Sequence, residues 1–487
     1  MSVPADSAVP FDSARGRWIL LAAVLGSGLA LLDSTIVNIA LPTLGEELGA
    51  GFGGLQWTVN GYTLAVASLI LLGGSLGDRF GRRKVFLVGT VWFAVASLLC
   101  GIAPNIELLV AARVLQGVGG AMLTPGSLAM LAAAFREQDR GRAVGAWSGL
   151  GGIAAALGPF VGGTLVEISW RLVFLVNLPL AVLIVVVTLK HVPESVNDQM
   201  DPRLDLLGAA LGALGLAGVT YALVALGDDG PGPVTLAAGV LGVAGLVGFV
   251  VTERRSTHPM LPLGLFGERQ FTAANLVTFV VYAALGAVFF LLVVHLQVVA
   301  GFTPLRAGVS LLPVTACMLL LSARAGALSA RIGPRLPMTL GPLVSAAGIL
   351  LVSRIGIGAD YVTDVLPGTV LFGLGLSLTV APLTATVLAA VSDRFAGVAS
   401  GVNNAVARTA GLLAVAVLPL VAGLSGDDYT DAAAFADGFK IAMGVAAGLL
   451  VVGGATAALT IRGGGTRPLR RRRHCALDGP PVDVQAS

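Results

Sequence analysis

The sequence predicts an all-α polytopic membrane protein with about 14 transmembrane helices. Three observations carry this expectation. Of the 487 residues, 56% are hydrophobic and only 12% charged, with a mean hydropathy of +0.89. A water-soluble domain needs far more charge to cover its surface. Apolar runs of about 20 residues, the length that crosses a bilayer's hydrocarbon, recur from end to end. The 66 glycines would weaken soluble helices but suit helices whose backbones approach closely in lipid.

The spans fall between charged or Gly/Pro-rich clusters. The polar start "MSVPADSAVPFDSARGR" precedes a run at 18–41 that is too long, and too polar at Asp33, for a cleaved signal. It reads as a cytosolic tail before an uncleaved first helix. Spans at 55–76 and 84–103 flank "GGSLGDRFGRRK" (73–84), and spans at 107–131 and 143–166 flank "REQDRGR". A sixth span follows at 172–190. Spans at 204–226 and 234–252 form a pair of mostly Leu, Ala, Gly and Val, which suits peripheral, lipid-facing helices. Six more follow at 272–299, 307–329, 336–354, 363–390, 397–423 and 438–461. The chain therefore divides into a six-helix bundle (1–195), an inserted two-helix linker (196–262), a second six-helix bundle (263–462) and a basic tail (463–487).

Orientation follows from Lys and Arg. With a cytosolic N-terminus, most of the 30 Lys and Arg fall inside. Arg171, Arg306, Arg354 and Lys440 are left outside, and Arg113 and Arg408 lie within spans. This is a positive-inside pattern, and outer loops such as "SGDDYTDAAAFADG" are acidic. The expectation is a multi-pass protein of the cell (cytoplasmic) membrane with both termini cytosolic. Cys100, Cys317 and Cys475 sit in separate segments and suggest no disulfide framework. The run "RRRRH" (470–474) suits anionic lipid headgroups or a topology signal rather than nucleic acid.

"GALSARIGPR" (326–335) repeats the second-span loop: Gly74 aligns with Gly326, Arg79 with Arg331, Gly81 with Gly333 and Arg83 with Arg335, while Asp78 becomes Ala330. "LQGVGGAMLTPGSLAML" (115–131) is echoed by "LFGLGLSLTVAPLTATVL" (371–388). Halves related by parallel repeat are a recurring transporter plan, with the substrate site between them near mid-membrane. No "GxxxxGK[ST]" loop cradles ATP, so the energy is expected from an ion gradient and no cofactor is expected. Four scattered His offer no metalloenzyme spacing. A non-transporting sensor would carry a sizeable soluble domain.

Four motifs resemble one family. "GGSLGDRFGRRK" resembles the loop between helices 2 and 3 of the major facilitator superfamily, and "LVAARVLQGVGGA" (109–121) its helix-4 motif, with Arg113 as the motif's Arg. "GIAAALGPFVGG" (152–163) resembles the helix-5 motif associated with antiporters. "LLDSTIVNIALP" resembles the helix-1 motif of the fourteen-helix drug:proton antiporters. The resemblance spans nearly the whole chain.

Asp33 is the first candidate residue, because an ionisable side chain within a span is costly and marks a pathway or a partner. The alternative is a fixed ion pair or local bonding with Ser34 and Thr35. Asp33 lies roughly 14 Å inward from Pro42 and Arg113 about 9 Å inward from Glu107, at similar depth. Their helices can pair if they face each other. A proton would then neutralise Asp33 and weaken its hold on Arg113, and the resemblance implies the same proton-coupling roles. Gly74, Asp78, Arg79, Gly81, Arg82 and Arg83 form a topology clamp, and the resemblance implies a cytosolic gate. Asp78 is expected near the start of the thirteenth helix, after "SDRF" (392–395). Gly158, Pro159, Gly162 and Gly163, with Gly145 and Gly149, offer a kink and close packing faces. That antiporter motif would stop protons leaking between the halves.

Asn38, Trp57, Asn60, Tyr62, Tyr282, Phe289, Asn403 and Arg408, with Phe290 and Asn404, are candidate cavity residues, although the aromatics also suit interface belts. Arg408, with no acid within one turn, suits structural glue or cavity lining equally. His295 reads as structural. The leading function is a proton-coupled exporter of amphipathic or cationic small molecules, working as a monomer in membrane lipid. One clear mid-span acid, with Glu107 and Glu167 near span ends, favours monocations or neutral substrates over dications. Alternatives are a dedicated exporter of one metabolite or antibiotic, and proton symport, against which the helix-5 motif argues.

Overall fold

The computed structural model describes residues 9–196, 205–257, 259–392, 395–426, 431–463, 473–474 and 482–483. Fourteen helices among them are long and apolar enough to cross a bilayer, one at each predicted span. They are α1 (Ala14–Leu48), α2 (Phe52–Phe80), α3 (Arg82–Gly101), α4 (Ile106–Ala134), α5 (Glu137–Ile168), α6 (Arg171–His191) and α7 (Leu206–Asp228). They continue with α8 (Pro233–Arg255), α9 (Arg269–Val298), α10 (Pro304–Ile332), α11 (Arg335–Val352), α12 (Tyr361–Ala389), α13 (Ala396–Val421) and α14 (Ala432–Thr460). Between their ends, helices satisfy the backbone groups internally, which lipid demands. The extended pairings among the described residues are a two-residue ladder joining Arg473–His474 to Val482–Asp483 and a single bridge between Val9 and Phe135, while Leu263–Gly267 is 3-10 helical and Tyr361–Val365 opens α12 as a π-turn. Residues 470–472 of the basic run, and Asp393 and Arg394 ahead of α13, lie outside the described residues.

Local chemistry sets the helix ends. Ser13, Asn105, Asp205, Thr303, Asp360 and Asp431 accept hydrogen bonds from first-turn N–H groups of α1, α4, α7, α10, α12 and α14. The N–H groups of Thr363 and Val362 hold the Asp360 carboxyl below the usual carboxylate range. Two spans the sequence presents as continuous are broken. In α6 the regular helix stops at Leu175 and resumes at Asn177; in α10 it stops at Val309 and resumes at Leu312. Leu175 is four residues before Pro179, and Val309 four before Pro313. Each break is where a proline withholds the hydrogen bond its N–H would have made.

The packing repeats as the sequence does. In the first six helices α1 packs on α5, α2 and α3 on α4, and α6 on α1 and α3; α9–α14 make the corresponding contacts. Gly81 ends α2 at φ 108° and Gly333 ends α10 at φ 89°, left-handed conformations that favour glycine in both copies of the loop. The halves meet along two seams, α2 with α13 and α5 with α10.

The inserted pair corrects one expectation. α8 is peripheral and packs on α7, but α7 sits against both α2 and α13. Leu216 of α7 joins Leu64 of α2 and Leu412 of α13 in one buried cluster. Asp228, at the end of α7, accepts a hydrogen bond from the Gly426 N–H after α13. Small residues allow the hairpin itself: a Cβ on Gly242 would meet the Val219 backbone nitrogen at 2.5 Å.

One face of the bundle carries the Arg-rich α2–α3 loop; the other carries Glu46, Glu47 and Asp431. Cross-seam contacts concentrate toward this second, acidic face. The Gln56 amide donates to the Val415 carbonyl at 2.7 Å, Gln297 to the Ile39 carbonyl at 2.9 Å, and the Phe52 N–H to the Gly426 carbonyl at 2.7 Å. Phe52 packs its ring on Phe290 and Phe435.

Candidate functional site

Asp33 and Arg113 form an ion pair of 2.6 Å between α1 and α4, with side chains 0% and 1% exposed. Both Asp33 oxygens are engaged. Oδ2 receives Arg113 Nη1, and Oδ1 receives the amides of Gln116 (2.8 Å) and Asn177 (2.9 Å). Gln116 and Asn177 also donate to Ser97 Oγ, and Arg113 Nη1 donates to Gln116 Oε1. Arg113 Nε donates to the Thr58 carbonyl at 3.0 Å, and its guanidinium lies 4.5 Å from the Tyr62 ring centroid. Six-helix packing thus gathers α1, α2, α3, α4 and α6 around one carboxylate. Local bonding with Ser34 and Thr35 is not its environment: those hydroxyls donate back to the Leu31 carbonyl.

Sequence reasoning missed Gln116, Asn177 and Ser97. Gln116 stands three residues after Arg113 on the same helix, the spacing that places side chains together. Asn177 sits where Pro179 breaks α6, so the break carries its amide into the cluster.

Beside this cluster a cavity of about 180 Å³ opens between the halves, and Arg113 is part of its wall. α1 and α2 contribute Ser34, Asn38, Val59, Asn60, Tyr62 and Thr63. α9 contributes Gly286, Phe289 and Phe290, and α13 contributes Arg408, Gly411 and Val415. Of the candidate cavity residues, Asn38, Asn60, Tyr62, Phe289, Phe290 and Arg408 line this space. Asn60 is fully buried, and among the described residues neither its amide nitrogen nor its oxygen has a partner; Asn38 Oδ1 and Arg408 Nε are likewise unpartnered there.

Four candidates are not part of this wall, and of these Asn404 is exposed on α13. Trp57 faces Tyr221 of α7, its aromatic bulk serving the inserted helix. Asn403 ties α13 to α9 through Asn275 and Thr278. Tyr282 packs against the hydrophobic core. His295 is buried, its Nε2–H donating to the Ile355 carbonyl at 2.8 Å and its ring stacked on Phe439.

The antiporter-motif glycines divide by depth. A Cβ on Gly158 would reach Thr35 at 3.3 Å, on Gly162 Ile36 at 2.9 Å, and on Gly163 the Leu305 Cα at 2.3 Å. Pro159 offers its carbonyl to the close approach of Gly308 on α10. Toward the basic face, Gly145 and Gly149 meet nothing within 4 Å. In the α2–α3 loop Asp78 pairs with Arg82 at 2.7 Å, and Glu194 accepts from the Arg83 N–H. Arg83 also donates to the Leu189 carbonyl, and Arg79 covers the Phe80 ring. A Cβ on Gly74 would lie in ordinary contact with Pro125 of α4, at 3.6 Å.

The family model of the Major Facilitator Superfamily matches residues 23–416. A puromycin resistance protein of Streptomyces alboniger is 36% identical over 89% of this chain and 90% of its own length. A multidrug resistance protein of Mycobacterium tuberculosis is 36% identical over 82% of this chain and 74% of its own. A tetracenomycin C resistance and export protein of Streptomyces glaucescens is 34% identical over 88% and 80%. Among solved structures, a POT family transporter superposes with a TM-score of 0.70 over 93% of this chain and 97% of that one, at 13% identity.

Proposed function

The chain belongs to the major facilitator superfamily and is a multi-pass membrane transporter; from that premise we propose that it is a secondary active exporter, exchanging protons for amphipathic drugs and antibiotics. Its relatives include resistance proteins for puromycin and tetracenomycin C and a multidrug one. The observation that carries the coupling is the position of Arg113. Its guanidinium holds the buried Asp33 carboxylate and also forms part of the cavity wall. A proton on Asp33 removes the charge that holds Arg113, so proton occupancy changes the wall a substrate meets. The two halves then rock around the site.

The basic face is cytosolic, a reading the positive-inside bias supports, and both termini lie on the cytosolic side of the cell membrane. The α2–α3 loop acts as the cytosolic gate, and the close approach at Gly158, Pro159, Gly162 and Gly163 blocks proton leak. The protein works as a monomer and draws its energy from the proton gradient.

The test uses inside-out vesicles energised by respiration, with a quenched dye reporting the pH gradient. Ethidium, puromycin and tetracenomycin C are added in turn. Dissipation by at least one of them, reduced about tenfold or more in Asp33→Asn, is expected. Dissipation that survives in Asp33→Asn removes Asp33 as the proton site. No response to any compound, with the protein present in the vesicles, overturns drug:proton exchange.

A further inference from the structure

The charge around the cavity narrows the substrate class. Its wall holds two guanidiniums, Arg113 and Arg408, and no carboxylate. Asp33 offsets Arg113, but its two oxygens are taken by Arg113, Gln116 and Asn177. Among the described residues, Arg408 makes no ion pair and its Nε has no partner. An uncompensated guanidinium in a partly desolvated wall is costly, and it repels cations brought within a few ångströms.

Resting on the antiport reading above, we propose that the cavity takes uncharged, acceptor-rich aromatic ligands and excludes organic cations. A cation would sit beside Arg408 with no free carboxylate to answer it. An anion would suit Arg408, but protonating Asp33 leaves Arg113 uncompensated and makes the wall more positive. Anion and proton would then bind together, the sign of symport rather than exchange. An uncharged ligand avoids both conflicts. Its carbonyl or hydroxyl oxygens receive Arg408 Nε–H and the Asn60 amide, and its hydroxyls meet the free oxygens of Asn60 and Asn38. Phe289, Phe290 and Tyr62 supply apolar ring surface. This is a narrower class than the monocations and neutral compounds suggested by counting acids in the sequence.

Three anthraquinones that differ at one substituent test the proposal: the 2-carboxamide, the 2-carboxylate and the 2-aminomethyl cation. Their binding is measured calorimetrically to the full chain in phosphatidylcholine nanodiscs, with empty nanodiscs subtracted. No gradient is involved, so the result stands apart from the vesicle experiment. The carboxamide is expected to bind about tenfold or more tightly than the cation. Arg408→Gln should bring the two within about threefold, and Arg408→Lys should keep the exclusion. Lowering the pH should strengthen the carboxylate and weaken the carboxamide. A cation that binds as well as the carboxamide overturns the proposal, as does a carboxylate that binds tightest at neutral pH. An unchanged preference in folded Arg408→Gln also overturns it. If that variant fails to fold, the wild-type ranking decides.

Discussion

Tyr62 touches both halves of the proposed mechanism, since its ring faces Arg113 while the side chain lines the cavity. A desolvated cation–π contact is worth about 2 kcal/mol. Tyr62→Phe keeps the ring and should change the melting temperature of purified protein little. Tyr62→Leu should destabilise it by about that amount and also weaken substrate binding. Equal effects of the two substitutions would show that the hydroxyl, not the ring, matters. A second prediction concerns Asn177. Asn177→Leu removes one of the donors to Asp33 Oδ1, a loss of about 1–3 kcal/mol for a buried charged acceptor. It should lower the melting temperature and impair drug-dependent proton flux; a fully active, fully stable variant would remove Asn177 from the site. Around Asp33 the sequence discloses the charged pair and hides its neutral hydrogen-bond partners. Asp33 and Arg113 stand out because an ionisable group in a span is expensive. Ser97, Gln116 and Asn177 cost less there, and only the packing of α3, α4 and α6 brings them together. The contact of Trp57 with Tyr221 is hidden for a similar reason, since nothing local says that its face meets α7.

At the scale of elements, apolar length made all fourteen spans legible, and the repeated loop signalled that α2–α3 and α10–α11 are equivalent. The breaks in α6 and α10 could have been placed from Pro179 and Pro313, but six other prolines stay inside helices without ending them. Sequence alone does not separate the two outcomes, because tertiary contacts decide whether the freed carbonyl finds a partner. The seam between α5 and α10 is the element that moves in a rocking mechanism. Gly163 has no room for a side chain beside Leu305. Gly163→Val should therefore hold α5 and α10 apart at the acidic face. Spin labels on the exposed positions 167 and 306 should report a distance longer by several ångströms than in the parent protein, by pulsed dipolar spectroscopy. An unchanged distance with an unchanged melting temperature would mean that the seam absorbs the extra volume elsewhere.

The whole molecule is asymmetric in a way the repeat does not foretell. α7 covers the α2–α13 seam, whereas among the described residues neither inserted helix packs closely on the α5–α10 seam. Cross-seam hydrogen bonds gather at the acidic face, while α5 stands free along Gly145 and Gly149 toward the basic face. Closure by these contacts predicts that, with the basic face cytosolic, the cavity in this conformation is reached from the cell interior. Sidedness can be read chemically in a background with Cys100, Cys317 and Cys475 replaced by Ser. A membrane-impermeant maleimide added to intact cells should label Asp229→Cys, which is exposed on the acidic face, and should label Glu268→Cys only after permeabilisation. Thr63→Cys, on the cavity wall, should react in inside-out vesicles without a gradient and stay protected in right-side-out ones. Labelling of Glu268→Cys from outside would invert the topology and, with it, the direction of transport. Labelling of Thr63→Cys equally from both sides would keep the topology, but would mean that the acidic-face contacts of Gln56 and Gln297 are too weak to hold the halves closed.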